Sequence, residues 1–280
     1  MGQKSKLKFD EVGYWSEIKL DIIDAYAQAY SKIISCQTRP PLDHIYIDAF
    51  AGPGMHKSKT TGSMIPGSPQ KALSVRPPFK KYYFIDLDST KADYLRKQFN
   101  DNPAVTVFTG DSNVVLLIDV FPRVKYSDYK RGLCLLDPYG LDLNWEVMKT
   151  AGEMKSIEIF LNFPILDMNR NVFWRDPSGV AQADIERMNA FWGDASWRDI
   201  AYSDEHDLFG HLEKEPNRVI AKSFRDRLKN VAGFSYVSEP LPMRNSNKAI
   251  IYYLFFASHK PVAKKIVDYI FDKYAKRGIK

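Results

Sequence analysis

Five short apolar runs between His44 and Phe163 alternate with segments of helical periodicity, and four of them stop at Asp or Asn. The runs are His44–Asp48, Lys81–Asp86, Val105–Thr109, Leu133–Leu136 followed by Asp137, and Ile157–Phe163 with Asn162 near its end. Strands separated by helices form a parallel sheet with right-handed crossovers, so all five ends share one edge. That edge then carries a row of polar groups: Asp48, Asp86, Asp111 just past the third run, Asp137 and Asn162. Few folds place so many acids at equivalent positions without using them.

The first run breaks into Ala51-Gly52-Pro53-Gly54, a turn whose glycines permit tight geometry and close ligand approach. Met55 to Gly67 has turn chemistry without periodicity and reads as a long loop at the rim, with Ser68-Pro69 opening a helix. Ser89 is placed to cap the helix after the second run, with Ala92, Leu95 and Phe99 inward. Ahead of the first run, Trp15, Ile18, Ile22, Ala25, Ala29 and Ile33 recur at helical spacing, flanked by Tyr26 and Tyr30. Beyond the fifth run, Ser178 is positioned to cap a helix carrying Ala181, Ile185, Met188 and Trp192, closed by Gly193. Asn217 to Asn230 forms another helix, with Ile220, Phe224 and Leu228 on one side and Arg218, Lys222, Arg225 and Lys229 on the other. Phe234–Val237 and Ala249–Ser258 read as two strands joined by a Pro240–Asn247 loop, and a basic helix built on Val262, Ile266 and Ile270 closes the chain. The domain plan is a tail and helix over 1–36, then one domain over 37–280 with a helical cap inserted at about 167–215.

Composition narrows the class. No run of about 18 apolar residues occurs, so no membrane span is expected, and the basic N-terminus lacks a signal core. Two cysteines, Cys36 and Cys134, are too few for a disulfide framework, and a cytoplasmic setting follows. Net charge of +6 and a pI near 9.0 favour a polyanionic partner, a nucleic acid above all. His206 and His211 stand five apart, which does not bring them onto one helix face, so no metal is expected. Neither a Gly-x-Ser-x-Gly elbow nor a Gly-Lys-Ser/Thr phosphate loop is present, which excludes serine hydrolases and P-loop nucleotidases.

The order of the acids points to an adenosyl ligand. A carboxylate at the end of the second strand, Asp86 with Asp88 as rival, can accept both ribose hydroxyls. Asp111, with Ser112 and Asn113 beside it, is placed for the adenine amine, and Asp137-Pro138-Tyr139 faces the reacting end. The chain resembles the class I S-adenosylmethionine-dependent methyltransferases, a Rossmann-like α/β fold with a seven-stranded, mostly parallel sheet and helices on both faces. More narrowly, it resembles the three-Cys-motif partner protein family. The residues that carry this are Lys19 and Tyr26 on the first helix, Asp48 to Gly54, Gly67-Ser68-Pro69, Leu136 to Gly140, Asn162-Phe163-Pro164 and Tyr253 to Ser258. The resemblance implies S-adenosylmethionine as cofactor and a three-Cys-motif protein as partner. It implies that Asp48, Phe50, Gly52 and Gly54 cradle the methionine part, and that Asp137 to Tyr139 position the acceptor. Lys57, Ser68, Asn162, Arg170, Trp174 and Arg175 are the expected substrate contacts.

Asp137-Pro138-Tyr139-Gly140 is similar to the Asp-Pro-Pro-Tyr motif of amino-directed nucleic-acid methyltransferases, but lacks the second proline. The functional expectation is a methyltransferase acting on a nucleic acid or nucleotide amine. The alternative is a methyltransferase-like binding module of reduced activity that serves a partner protein. A Rossmann dehydrogenase is a third reading, against which stands the missing third glycine of the dinucleotide fingerprint.

Overall fold

A computed structural model describes residues 9–206, 212–245 and 247–276. Lys4, Lys6, Asp207, His211 and Ser246 lie outside the described residues. In chain order, Glu11–Val12 (β1) precedes the long helix Tyr14–Ser35 (α1). Asp43–Asp48 (β2) leads to Met55–Ser58 (β3), Met64–Pro66 (β4) and Ser68–Ser74 (α2). Lys81–Asp86 (β5), Ser89–Gln98 (α3), Val105–Thr109 (β6), Ser112–Val115 (α4), Lys130–Leu136 (β7), Trp145–Met154 (α5) and Ile157–Phe163 (β8) then alternate. Ile165–Asn171 (α6), Gln182–Trp192 (α7) and Trp197–Ala201 (α8) run into Tyr202–His206 (β9) and Leu212–Lys214 (β10). Asn217–Asn230 (α9), Tyr236–Val237 (β11), Leu241–Arg244 (β12), Ile250–Ser258 (β13) and Pro261–Ala275 (α10) complete the order.

The main sheet runs β6-β5-β2-β7-β8-β13-β11, with β12 also on β13. The first five strands in that order are parallel. β13 is antiparallel to β8, and β11 and β12 are antiparallel to β13. This is a class I methyltransferase-like α/β fold whose final edge position is filled by two strand pieces. Between them the register slips by one residue around Ser238-Glu239-Pro240. Pro240 and Pro242 made this stretch read as a loop. On an edge strand, a proline can turn its missing N–H away from the ladder.

Side chains on successive strand residues point to opposite faces. On one face Tyr46, Leu133, Leu135, Phe160, Leu254 and Phe256 pack under α1, α2 and α10. On the other, Ile47, Cys134, Leu136, Ile159, Leu161 and Phe255 pack under α5, α7 and α9. α7 and α8 join this second core through Met188, Phe191, Trp192 and Trp197. Phe224 of α9 is its hub, with ring centroids 4.7 Å from Phe163 and 5.2 Å from Trp192.

Several local expectations change. Met55 to Gly67 is a β-hairpin, and Glu11–Val12 joins it as a third, parallel strand. Gly67, not Ser68, caps α2, and Asp88, not Ser89, caps α3 by accepting the Thr90 N–H at 2.8 Å. Asp176 caps a separate 3-10 turn at Pro177–Gly179, and α7 begins only after Ala181. α10 turns Ala263, Val267, Ile270, Phe271 and Tyr274 inward and leaves Val262 exposed. The buried seam of α1 runs through Lys19, Ile22, Tyr26, Ala27 and Tyr30, rotated from the Ala25–Ala29 stripe. Among the described residues no helix is long and apolar enough to cross a membrane, and no His/Cys/Asp/Glu group could hold a metal.

Candidate active site

The carboxyl ends of the parallel strands open into a cavity of about 830 Å³. Each strand contributes its tip. Phe50, Ala51 and Gly52 follow β2, Asp86 ends β5 and Leu87 follows it. Asp111, Ser112 and Asn113 follow β6, Asp137 to Asp142 follow β7, and Asn162 and Pro164 end β8. Ser68 and Arg170 also line it. Asp48, Gly54, Asp88, Lys57, Trp174 and Arg175 do not line it.

Five of these six lie in the surrounding hairpin, turns and loops, and Asp48 is buried behind the wall. Asp88 is engaged as the α3 cap. Gly54, with φ +76°, turns the chain into the hairpin, and its carbonyl accepts the Gly67 N–H at 2.8 Å. Lys57 pairs with Glu11 at 3.0 Å on the exposed side of the hairpin. Trp174 donates its indole N–H to the Arg170 carbonyl at 2.7 Å and lies against Gly179, pinning its own loop. Arg175 is exposed on that loop.

Asp86 and the glycine turn form one unit. The Gly52 N–H donates to Asp86 Oδ2 at 2.8 Å, and the Asp88 N–H donates to Oδ1 at 2.8 Å. Burial raises the Asp86 pKa, and the two amides pull it back. Gly52 has φ +61°, and no atom stands within 4 Å of where a Cβ would point. Asp111 caps α4, accepting from the Asn113 backbone at 2.8 Å and side chain at 3.0 Å. The Ser112 hydroxyl donates to the Ala49 carbonyl, tying the third tip to the first.

Asp137 is engaged through both of its oxygens. Its Oδ1 accepts the Asn162 amide N–H at 2.7 Å, and its Oδ2 takes the Lys19 ammonium. Asp137 continues the alternation of Leu133 and Leu135, so it faces α1. Lys19 sits one helix face away, 8% exposed, with its Nζ 5.3 Å from the Tyr252 ring centroid. Burial, the largest single effect, would lower the Lys19 pKa, but the charge and hydrogen bond of Asp137 together with Tyr252 and Asp48 outweigh it and the pKa rises. Lys19 therefore stays charged.

Asp48 lies just behind this pair, fully buried. Its Oδ1 accepts the Phe50 N–H at 3.3 Å, and its Oδ2 has no hydrogen bond of good geometry. Burial pushes its pKa up to about 7, with Ser68 and the Phe50 amide pulling the other way.

Asp10, His56 and Lys91 are lining residues that sequence reasoning did not single out, and Lys19 entered it only as a motif residue without a role. A lysine on the mostly apolar buried seam of α1 was the available signal for Lys19. Its partner is 118 residues away, so no local pattern showed the pair. Asp10 and Lys91 are ion-paired at 3.0 Å across the hairpin edge, and the Lys91 ammonium stands 5.9 Å from the Tyr139 ring centroid. Burial lowers the His56 pKa, with Lys19 adding to the effect, so the ring is neutral at physiological pH.

Gly140 shows how tightly the rim is built. It has φ +63°, and a Cβ there would stand 2.6 Å from Asp167 Oδ2. That carboxylate is held by Asn171 at 2.8 Å and faces Arg187 at 3.8 Å. Gly140→Ala is expected to cost about 1–3 kcal/mol, from positive-φ strain and displacement of Asp167. Urea unfolding measures this, and a loss below about 0.5 kcal/mol would count against the tight contact.

No family model matches the chain, and no curated protein matches it. Among solved structures, a Legionella pneumophila protein of the DUF519 family aligns with TM-score 0.52 at 12% identity, covering 92% of this chain and 93% of its own. A SAM-dependent methyltransferase from Aquifex aeolicus aligns with TM-score 0.34 at 12% identity, covering 89% and 98%. The M. jannaschii protein TYW2, solved in complex with AdoMet, gives TM-score 0.36 at 12% identity, covering 87% and 76%. The first of these shares the fold. The sheet order itself makes the chain methyltransferase-like in architecture.

Proposed function

We propose that the chain is an S-adenosylmethionine-dependent methyltransferase acting on a nitrogen acceptor. The observation that carries this is the locked Asp86–Gly52 unit on the cavity wall, beside a glycine with an open face. A carboxylate fixed by two backbone amides still has lone pairs for a ribose diol. Leu87, 75% exposed beside it, offers an apolar surface to a purine, and Asp111 and Ser112 stand at the next tip. Phe50 to Gly52 would border the methionine part. The bound cofactor would supply a methyl group already activated by its sulfonium, so the chain's task is positioning. Tyr139, 68% exposed at the cavity, presents a ring on which a flat acceptor can stack.

Isothermal titration with S-adenosylhomocysteine tests the reading, and absence of binding sinks it. Asp86→Ala is expected to weaken that binding by about 10- to 100-fold, the worth of hydrogen bonds to a charged group. An unchanged affinity would remove Asp86 from the site.

One observation favours the second reading, a binding module of reduced turnover. Both Asp137 oxygens are already engaged, by Lys19 and Asn162, leaving little for an acceptor amine to use. Transfer of labelled methyl to any fraction of a cell extract would eliminate that reading. The nucleic-acid partner, the three-Cys-motif partner and membership of that family rest on the charge balance and the sequence motifs alone.

A further inference from the structure

Asn162 is 8% exposed and lines the cavity. Its amide orientation follows from its neighbour. The Nδ2 donates to Asp137, which accepts only, so Oδ1 must turn away from that carboxylate. Lys19 engages the other Asp137 oxygen and holds the carboxyl in place, and so fixes the amide in turn. The Oδ1 atom then has no hydrogen-bond partner among the described residues. A buried acceptor without a donor destabilises a fold unless something supplies the donor.

The lining charge is a second, independent observation. Six carboxylates face the cavity: Asp10, Asp86, Asp111, Asp137, Asp142 and Asp167. Lys19, Lys91 and Arg170 are the lining cations, with Arg187 pairing Asp142 at 3.2 Å from behind. Lys19 and Lys91 are paired with Asp137 and Asp10, while Asp86 and Asp111 have no ion-pair partner among the described residues. A chain of net charge +6 thus carries an acidic hollow. Such a hollow attracts cations and repels phosphate.

We propose that the inner wall at Asn162 receives the N–H of an amine-bearing methyl acceptor, and that the acidic lining selects a cationic amine over a phosphate-bearing molecule. This rests on the methyltransferase reading only in calling the amine an acceptor. The bound ammonium sheds one proton to solvent, and the freed nitrogen lone pair forms the new N–C bond. The C–S bond breaks with its electron pair staying on sulfur, which leaves a neutral thioether and a methylated ammonium.

Three matched probes test it: benzylammonium, benzyltrimethylammonium and benzyl phosphate, titrated into the full chain with and without saturating S-adenosylhomocysteine. Benzylammonium is expected to bind about tenfold more tightly than benzyltrimethylammonium, which has no N–H to give, and benzyl phosphate not to bind. Asn162→Leu should erase the preference between the two cations. Equal affinity for the cations, tighter binding of benzyl phosphate, or a preference that survives in Asn162→Leu would each overturn the proposal. If the variant does not fold, the wild-type selectivity decides alone. If S-adenosylhomocysteine does not bind while the benzylammonium preference persists, the methyltransferase reading falls and the amine site stands.

Discussion

Asp48→Asn is expected to stabilise the chain at alkaline pH while weakening binding of S-adenosylhomocysteine. Asp48 ends a central strand with no solvent exposure, one Phe50 amide on Oδ1 and nothing of good geometry on Oδ2. An ionised carboxylate there is poorly compensated, so burial lifts its pKa from 3.8 to about 7. The folded state thus holds the proton more tightly than the unfolded chain. Stability from this group is fully present below pH 4 and is lost as pH rises towards 7. A shift of this size corresponds to roughly 4 kcal/mol once both states are ionised. Asparagine keeps an acceptor for the Phe50 N–H and carries no charge. The variant should match the parent near pH 4, pull ahead between about pH 4 and 7, and hold a plateau above. Urea unfolding across pH measures the gap, and curves that run parallel would show that Asp48 carries no such penalty. Binding should move the opposite way, because a buried carboxylate packed behind Phe50 to Gly52, which line the cavity, attracts a ligand ammonium through the low-dielectric interior without touching it. A stabilised variant that binds less well is the usual signature of strain kept for function.

The main sheet was readable because parallel strands buried on both faces are near-continuous apolar runs, and side-chain helix caps follow two of them, at Asp88 and Asp111. The acid tips were readable for the same reason. Yet the same residue type serves different ends. Asp88 and Asp111 cap helices through the Thr90 and Asn113 amides, whereas Asp86 is held out towards the cavity by two amides of its own. Nothing in the residues themselves separates these cases, because the difference lies in which amide the turn brings within reach. The hairpin at Met55–Pro66 was hidden because its stabilising partner, Glu11–Val12, is remote in sequence and lies beyond α1. β12 was hidden by Pro240 and Pro242, which mislead wherever a strand lies at an edge.

α1 contains the clearest case of partial legibility. Lys19 and Tyr26 are seven residues apart, close to two helical turns, and so share one face. That face lies on the sheet side where Asp48, Asp137, Glu158 and Asn162 point. The spacing was visible, but its meaning needed the register. Lys19 meets Asp137 at the carboxyl ends of the strands, and Tyr26 meets Glu158 nearer their amino ends. One helix therefore holds a cavity-lining ion pair with one turn and a structural carboxyl with another.

That second carboxyl supplies a purely structural test of the same physics. Glu158 is 9% exposed, with Tyr26 donating to Oε2 at 2.5 Å and Ser258 donating to Oε1 at 2.8 Å. Burial raises its pKa from 4.5 to about 7, and the two hydroxyls pull it back. The sign is that of Asp48: the contribution is full below about pH 4.5 and fades as pH climbs through 7. Glu158→Gln is expected to gain roughly 3 kcal/mol above pH 7 and almost nothing near pH 4. Both hydroxyls can rotate to suit an amide, so the hydrogen bonds survive the exchange. Glu158 neither lines the cavity nor bonds a residue that does, whereas Asp48 bonds the lining Phe50, so S-adenosylhomocysteine affinity should not change, unlike in Asp48→Asn. The register places Asp48 level with Leu135 and Phe160, two strands across and two residues along from Glu158. At roughly 4.8 Å per strand spacing the two carboxyls are about 10 Å or more apart, so their stability gains should add. A double variant that gains clearly less than the sum would mean that the two acids titrate as a coupled pair through α1, and the separate assignments would fail.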